Sequence, residues 1–169
     1  MLRRCLPPLV AYAFGFGIVW ADPLPCEVKE GSADSCVWLL ACIGDDGRWM
    51  DGRATGWDAG PLEAASNDGV ACTGNWTTSD SFAGGRADVF CDAGMTASVM
   101  YFSQDPATGT VSGCGMTNWG EIVEAWSGKN VLEYFRGGDP TEGAVLRCGD
   151  YGIPLSYWLN SGRSTTATA

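Results

Sequence analysis

Short polar breaks rich in glycine divide this 169-residue chain at intervals of about ten residues. Glycine occurs 24 times and recurs beside aspartate or asparagine, as in GDDG at 44–47, DG at 51–52 and 68–69, DAG at 92–94 and NWG at 118–120. Such pairs supply the positive backbone dihedrals that tight hairpin turns need. The spacing therefore predicts many short strands joined by hairpins.

The segments between these breaks are typical of β-strands. They are VWLLAC ending at Cys42, RADVFC ending at Cys91, TASVMYFS from Thr96, TGTVSGCGMT ending at Thr117 and EIVEAW ending at Trp126. Strands separated by turn chemistry predict an all-β fold, a small antiparallel meander that forms a barrel or a sandwich. GAVLRC, ending at Cys148, is predicted to be the closing strand, whose cysteine staples it to an earlier one.

Two segments carry a different pattern. Residues 99–102 are apolar on both strand faces, which predicts a strand covered on two sides or one on the inner wall of a small closed barrel. Val131, Leu132 and Phe135 have helical spacing, with Asn130 as a cap and Gly137 as a stop. This segment is predicted to form one or two helical turns, with a strand as the alternative.

The N-terminus resembles an export signal. Arg3 and Arg4 precede an apolar run over 6–20, and Val19 and Ala21 place small residues before a cut. We predict a signal peptide over 1–21, a single β domain over 22–160 and a disordered tail over 161–169, in a periplasmic or secreted protein. A retained anchor is the alternative, although the run is short for a membrane span, which needs about 20 residues.

Cysteine usage indicates a disulfide framework. Without the signal, seven cysteines remain: Cys26, Cys36, Cys42, Cys72, Cys91, Cys114 and Cys148. An exported chain of this kind is expected to be stapled by disulfide bonds. Because seven is odd, one cysteine is free or pairs with another chain. There is no histidine and no CxxC pair, so neither a metal site nor a cofactor is predicted.

The charge balance constrains the partners. The chain has 10 basic and 20 acidic residues, a net charge of −10, and loss of Arg3 and Arg4 makes it 8 − 20 = −12. Such a surface repels nucleic acid and anionic lipid and favours cationic partners. No membrane span is predicted after signal removal.

The absence of histidine also removes the common nucleophile and zinc chemistries. Carboxylate pairs remain as candidates for glycan cleavage: Asp45, Asp46 and Asp51 in the first hairpin, and Glu121 and Glu124 on a later strand. Aspartate in a DG turn usually serves backbone geometry, and glutamate on a strand usually faces solvent. No catalytic residue is therefore predicted, and the protein is expected not to be an enzyme.

Tryptophan is frequent, with eight in the whole chain. Most should fill the core, but Trp57 and Trp119 lie beside glycine and polar turn residues. They are predicted to be exposed and to form a glycan platform, because flat indoles stack on sugar rings.

Residues 90–146 carry a family resemblance. FCDAGMTASVMYF over 90–102, with Cys91 and Gly94, then Ser127-Gly128, then YFRG over 134–137, resemble the bacterial inhibitors of c-type lysozyme of the membrane-bound or periplasmic type. The resemblance implies a small β-barrel whose loop residues reach into the acidic cleft of the enzyme. By analogy Ser127 and Arg136 would do so here, with Lys129 as a nearby substitute.

Three hypotheses follow for the function. The first is an exported, non-catalytic binding protein, an inhibitor of a basic cell-wall hydrolase such as lysozyme. The second is a glycan-binding or carboxylate-dependent glycan-cleaving domain. The third is a structural envelope component whose unpaired cysteine links two chains; the oligomeric state is left open.

Overall fold

The computed structural model describes residues 26–79, 84–105, 110–137 and 143–155. The predicted signal peptide and tail lie outside these residues. Eight strands form a closed antiparallel barrel in which each strand pairs with the next and the eighth with the first. They are β1 (Cys36–Ile43), β2 (Arg48–Thr55), β3 (Ala59–Ser66), β4 (Ala71–Ser79), β5 (Gly84–Cys91), β6 (Thr96–Asp105), β7 (Thr110–Thr117) and β8 (Ile122–Gly128). The all-β prediction is confirmed, and the architecture is a barrel, not a sandwich.

The alternation of side chains along each strand separates the inside of the barrel from the outside. In β1, Leu39 and Ala41 line the interior. Leu40 and Cys42 belong instead to an apolar cluster on the outer side of the wall. Successive side chains of a strand point to opposite faces, so β1 is apolar on both because both are covered.

The two ends of the barrel differ. Four hairpin turns, over 44–47, 67–70, 92–95 and 118–121, lie at one end, which we call the floor end. Its core contains Ile43, Met50 and Met95, each no more than 5% exposed. The turn between β2 and β3, over 56–58, lies at the opposite end, which we call the open end.

A small C-terminal unit packs on the outside of the barrel. It consists of helix α1 (Val131–Phe135) and a two-stranded sheet of β9 (Val145–Cys148) and β10 (Tyr151–Pro154). Its buried residues Val131 and Leu146 join Leu40 of β1 in one cluster. The Phe135 ring contacts the Trp126 ring edge-on at 5.3 Å between centroids.

Two details of this unit correct or refine the sequence analysis. GAVLRC is predicted to be the closing strand, and this prediction is wrong, because β9 does not take part in the barrel. The barrel is closed by β8, which pairs with β1 from Trp38↔Gly128 to Ile43↔Val123. β9 instead pairs with β10. The helical turn predicted for this segment is confirmed at residues 131–135, and the alternative of a strand is not. Asn130 is at the N-cap position, but its side chain makes no capping hydrogen bond.

Disulfide bonds join Cys26 to Cys36, Cys42 to Cys148 and Cys72 to Cys91. The predicted framework and staple to an earlier strand are confirmed, and Cys114 is the free, exposed cysteine of the described residues. Three bridges are compatible with an oxidising environment. Across the described ranges, no helix has the length and apolar character needed to cross a bilayer.

Candidate functional site: the barrel cavity

The barrel contains a cavity of about 420 Å³. An eight-stranded barrel is just wide enough for its own side chains to fill it or for one small ligand. Here six of the lining residues are alanines: Ala41, Ala54, Ala64, Ala87, Ala97 and Ala125. These short side chains leave the middle of the barrel unfilled.

The walls of the cavity are apolar. All eight strands contribute, with Val37 and Leu39 from β1, Leu62 from β3, Val89 from β5, Val99 from β6, Val111 from β7 and Val123 from β8 among the lining side chains. None of the described lining residues carries a charged side chain. The cavity therefore favours apolar molecules, which lose little hydration on entry.

Tyr101 forms an aromatic part of the wall, and glycines make room for it. Its register partners are Gly85 on β5 and Gly113 on β7. A Cβ atom at Gly85 would lie 2.5 Å from the Tyr101 Cζ atom, so the ring fits only over glycine. The hydroxyl donates to the Thr77 carbonyl oxygen at 3.1 Å, and burial raises the pKa of Tyr101 to about 12.

Two tryptophans line the cavity towards the open end. Trp76 is held by its indole, which donates from Nε1 to the Thr55 carbonyl oxygen at 2.8 Å. Trp57 lies in the 56–58 turn and is 40% exposed although it lines the cavity. The cavity therefore reaches solvent beside Trp57.

The turn that carries Trp57 is fixed to the neighbouring hairpin. The Asp58 carbonyl oxygen accepts hydrogen bonds from the Thr78 backbone N–H at 2.8 Å and from Thr78 Oγ1 at 3.0 Å. These bonds tie the turn to β4. The open end thus has a defined rim on this side.

An ion-pair cluster braces the outside of the floor end. The Arg48 guanidinium binds the Glu121 carboxylate and lies 3.7 Å from Asp46. The hydrogen bond to Glu121 is the main cause that raises the pKa of Arg48. The cluster joins the 44–47 turn to the 118–121 turn, so these two candidate carboxylates have a structural role.

The other carboxylate candidates are dispersed. Asp45 is exposed in the 44–47 turn, Asp51 is buried on β2, and Glu124 is exposed on the outer face of β8. None of the three lines the cavity.

The predicted partner-binding residues lie in different environments. Ser127, near the end of β8, lines the cavity. Lys129 is exposed in the turn that follows. Arg136 follows α1 on the outside of the barrel, and its Nε atom is buried without a hydrogen-bond partner among the described residues.

Trp57 and Trp119 are both exposed, as predicted, at 40% and 55%. They belong to the 56–58 and 118–121 turns, at opposite ends of the barrel. The two indoles therefore do not form one platform.

The chain was compared with family models, curated proteins and solved structures. No family model and no curated protein matches the chain. Among solved structures it is similar to a redesigned β barrel, mFAP1, bound to DFHBI, at 11% identity over 57% of this chain and 94% of that one, with a TM-score of 0.45. A de novo designed fluorescence-activating β barrel is similar at 14% identity over 55% and 90% of the two chains, with a TM-score of 0.44.

Proposed function

We propose that the protein binds a small, mostly apolar molecule inside the barrel and acts by binding, not by catalysis. One observation carries this proposal: a cavity of about 420 Å³, lined by apolar side chains from all eight strands and open beside Trp57. Small-molecule sites are typically concave, mostly apolar and about 300–1,000 Å³ in volume. The cavity matches each of these criteria.

The energetics of packing support the same proposal. Protein interiors are normally packed as densely as organic crystals, and unfilled volume costs on the order of 20–30 cal/mol per Å³. Replacing any of the six lining alanines by a larger apolar residue would fill part of this volume. An interior left open at that cost is expected where a ligand occupies it.

The expected affinity follows from the size of the cavity. A ligand of roughly 20 non-hydrogen atoms, at about 0.3 kcal/mol per atom, binds with about 6 kcal/mol, which corresponds to a Kd of tens of micromolar. The rigid barrel is already formed, so ordering costs are small and the Kd is expected at this value or below.

A neutral dye whose fluorescence rises in apolar surroundings, N-phenylnaphthylamine, tests the proposal. Ala64 lines the cavity, whereas Ala65, the next residue of β3, does not. Ala64→Phe is expected to weaken dye binding at least tenfold because the ring occupies the cavity. The matched control Ala65→Phe is expected to bind like the parent.

Two outcomes would contradict cavity binding. One is the absence of a saturable signal up to the solubility of the dye. The other is an equal affinity in the two phenylalanine variants. Thermal denaturation of both variants separates lost binding from lost folding, since Ala64→Phe fills space and is expected to keep the Tm.

Inhibition of a basic hydrolase is a second, independent proposal for an exported, periplasmic or secreted chain. The net charge of −10 and the exposed Lys129 support it. Added in stoichiometric amounts, the protein is expected to lower c-type lysozyme activity, and Arg136→Glu to abolish the effect. Full lysozyme activity at micromolar protein would reject it.

A further inference from the structure

We infer that the ligand of the cavity is uncharged and carries a hydrogen-bonding group at one end, which lies against Ser127 near the open end. This inference rests on the proposed binding function and specifies the chemical class of the ligand. Neutral alcohols, aldehydes or ketones with an apolar body belong to this class. Fatty acids and other organic anions do not.

The described lining residues include no lysine, arginine, aspartate or glutamate that could pair with an ionised ligand. An ion that leaves water without a partner pays a large desolvation cost. For an anion, the net charge of −10 of the chain adds repulsion.

Three polar side chains of the cavity wall already form hydrogen bonds within the protein. Tyr101, Trp76 and Thr78 each donate to a backbone carbonyl oxygen, of Thr77, Thr55 and Asp58 respectively. Their donor hydrogens are therefore used within the protein. Among the described lining residues, the Ser127 hydroxyl and the indole N–H groups of Trp57 and Trp126 form no hydrogen bond with another described residue. The Trp126 ring packs into the outer apolar cluster, so Ser127 and Trp57 are the two groups of this set that remain for a ligand in the barrel.

The positions of these two groups give the ligand a direction. Ser127 pairs with Leu39 and Val111, in the half of β8 remote from the floor end, and Trp57 lies in the open-end turn. The opposite end of the cavity is lined by Ile43, Met50 and Met95, which offer no strong hydrogen-bonding group. The apolar body of the ligand therefore points to the floor and its polar group to the open end.

Two dyes with the same ring skeleton test the charge requirement. Anilinonaphthalene sulfonate differs from N-phenylnaphthylamine by one sulfonate. We expect the neutral dye to bind at least tenfold more tightly, with both signals corrected for binding that persists in Ala64→Phe.

Equal or tighter cavity binding of the sulfonate would overturn the inference and leave the proposed function standing. Binding of neither dye would reject the proposed function itself. The two failures are thus distinguishable.

Ser127 is tested by competition with a second matched pair, naphthalenemethanol and methylnaphthalene. Because one hydrogen bond is lost, Ser127→Ala is expected to weaken binding of the alcohol about two- to tenfold and to leave binding of the hydrocarbon unchanged. Ser127→Thr, which keeps the hydroxyl, should restore preference for the alcohol. An equal change for both compounds, or no change for the alcohol, would overturn the assignment of Ser127.

Discussion

At the scale of single residues, the Tyr101 ring lines the cavity while its hydroxyl is hydrogen-bonded to the backbone. The residues beside it in the sheet, Gly85 and Gly113, have no side chain that would displace its ring. Its hydroxyl is satisfied by the Thr77 carbonyl oxygen. The phenol therefore contributes carbon surface to the interior while its oxygen stays with the backbone.

The raised pKa of Tyr101 predicts a loss of stability in alkali. Burial raises this pKa from the ordinary tyrosine value of 10.0 to about 12, so the folded protein favours the neutral phenol. The contribution of the Tyr101 phenol to the free energy of unfolding is present in full below pH 10 and is lost as the pH rises from 10 towards 12. Tyr101→Phe should flatten the decline in the urea midpoint over this range.

The tyrosinate absorbance provides an independent measurement. Tyr101→Phe should remove the component of the absorbance change that appears last as the pH rises towards 12. Persistence of that late component in Tyr101→Phe would contradict the assigned burial of Tyr101.

At the scale of elements, the strands differ in how well the sequence indicates them. β1 and β5 to β8 are predicted because they contain β-branched and aromatic residues between clear turn signals. Strands β2, β3 and β4, over 48–79, are not predicted because they are rich in alanine, glycine and threonine. The alternation Leu62, Ala64 along β3 is the available signal, and it is weak because alanine disfavours strands.

The alanines of the cavity wall are the site residues that the sequence does not predict. A single alanine in the sequence does not indicate a cavity. The six alanines leave space inside the barrel because all of them line its interior. Residues 99–102 are predicted to be covered on two sides or to lie on an inner barrel wall. The second alternative is correct, because Val99 and Tyr101 line the cavity while Met100 and Phe102 are about half exposed outside.

The disulfides that connect elements should contribute unequally to stability. Cys42–Cys148 spans 106 residues and attaches the C-terminal unit, whereas Cys72–Cys91 spans 19 and joins strands that already pair. By chain entropy alone, such loops contribute about 4.7 and 3 kcal/mol. Urea denaturation of Cys42→Ala/Cys148→Ala should therefore show the larger loss of unfolding free energy.

Dye binding shows whether that loss comes from a less constrained unfolded chain or from damage to the folded barrel. Neither Cys42 nor Cys148 lines the cavity, so the first double variant should still bind N-phenylnaphthylamine when folded. A larger loss from Cys72→Ala/Cys91→Ala would show that packing in the floor-end core outweighs loop length.

At the scale of the whole molecule, the residues that the structure describes cover one side of the barrel and leave another exposed. The C-terminal unit packs against β1 and β8. On the outer face of β5 to β8, Phe90, Met100, Met116 and Ile122 are each more than half exposed. Exposed Cys114 lies on this face, directly opposite Met100 in the register.

The structural-component hypothesis makes a prediction about this face. In an oxidising buffer the protein should form a dimer linked through Cys114, visible on non-reducing gels and absent on reducing ones. Cys114→Ser should remain monomeric, with the three internal disulfides intact. A monomer in both proteins would reject cysteine-linked assembly.

The difference between the two ends of the barrel also determines how one bound ligand can be exchanged for another. Among the described residues, Ile43, Met50 and Met95 close the floor end of the cavity, so a ligand enters and leaves through the open end, where Trp57 lies. An incoming ligand cannot displace the bound ligand from the opposite end of the cavity, so the bound ligand must dissociate first. Replacement should therefore proceed at a rate that does not depend on the concentration of the incoming molecule.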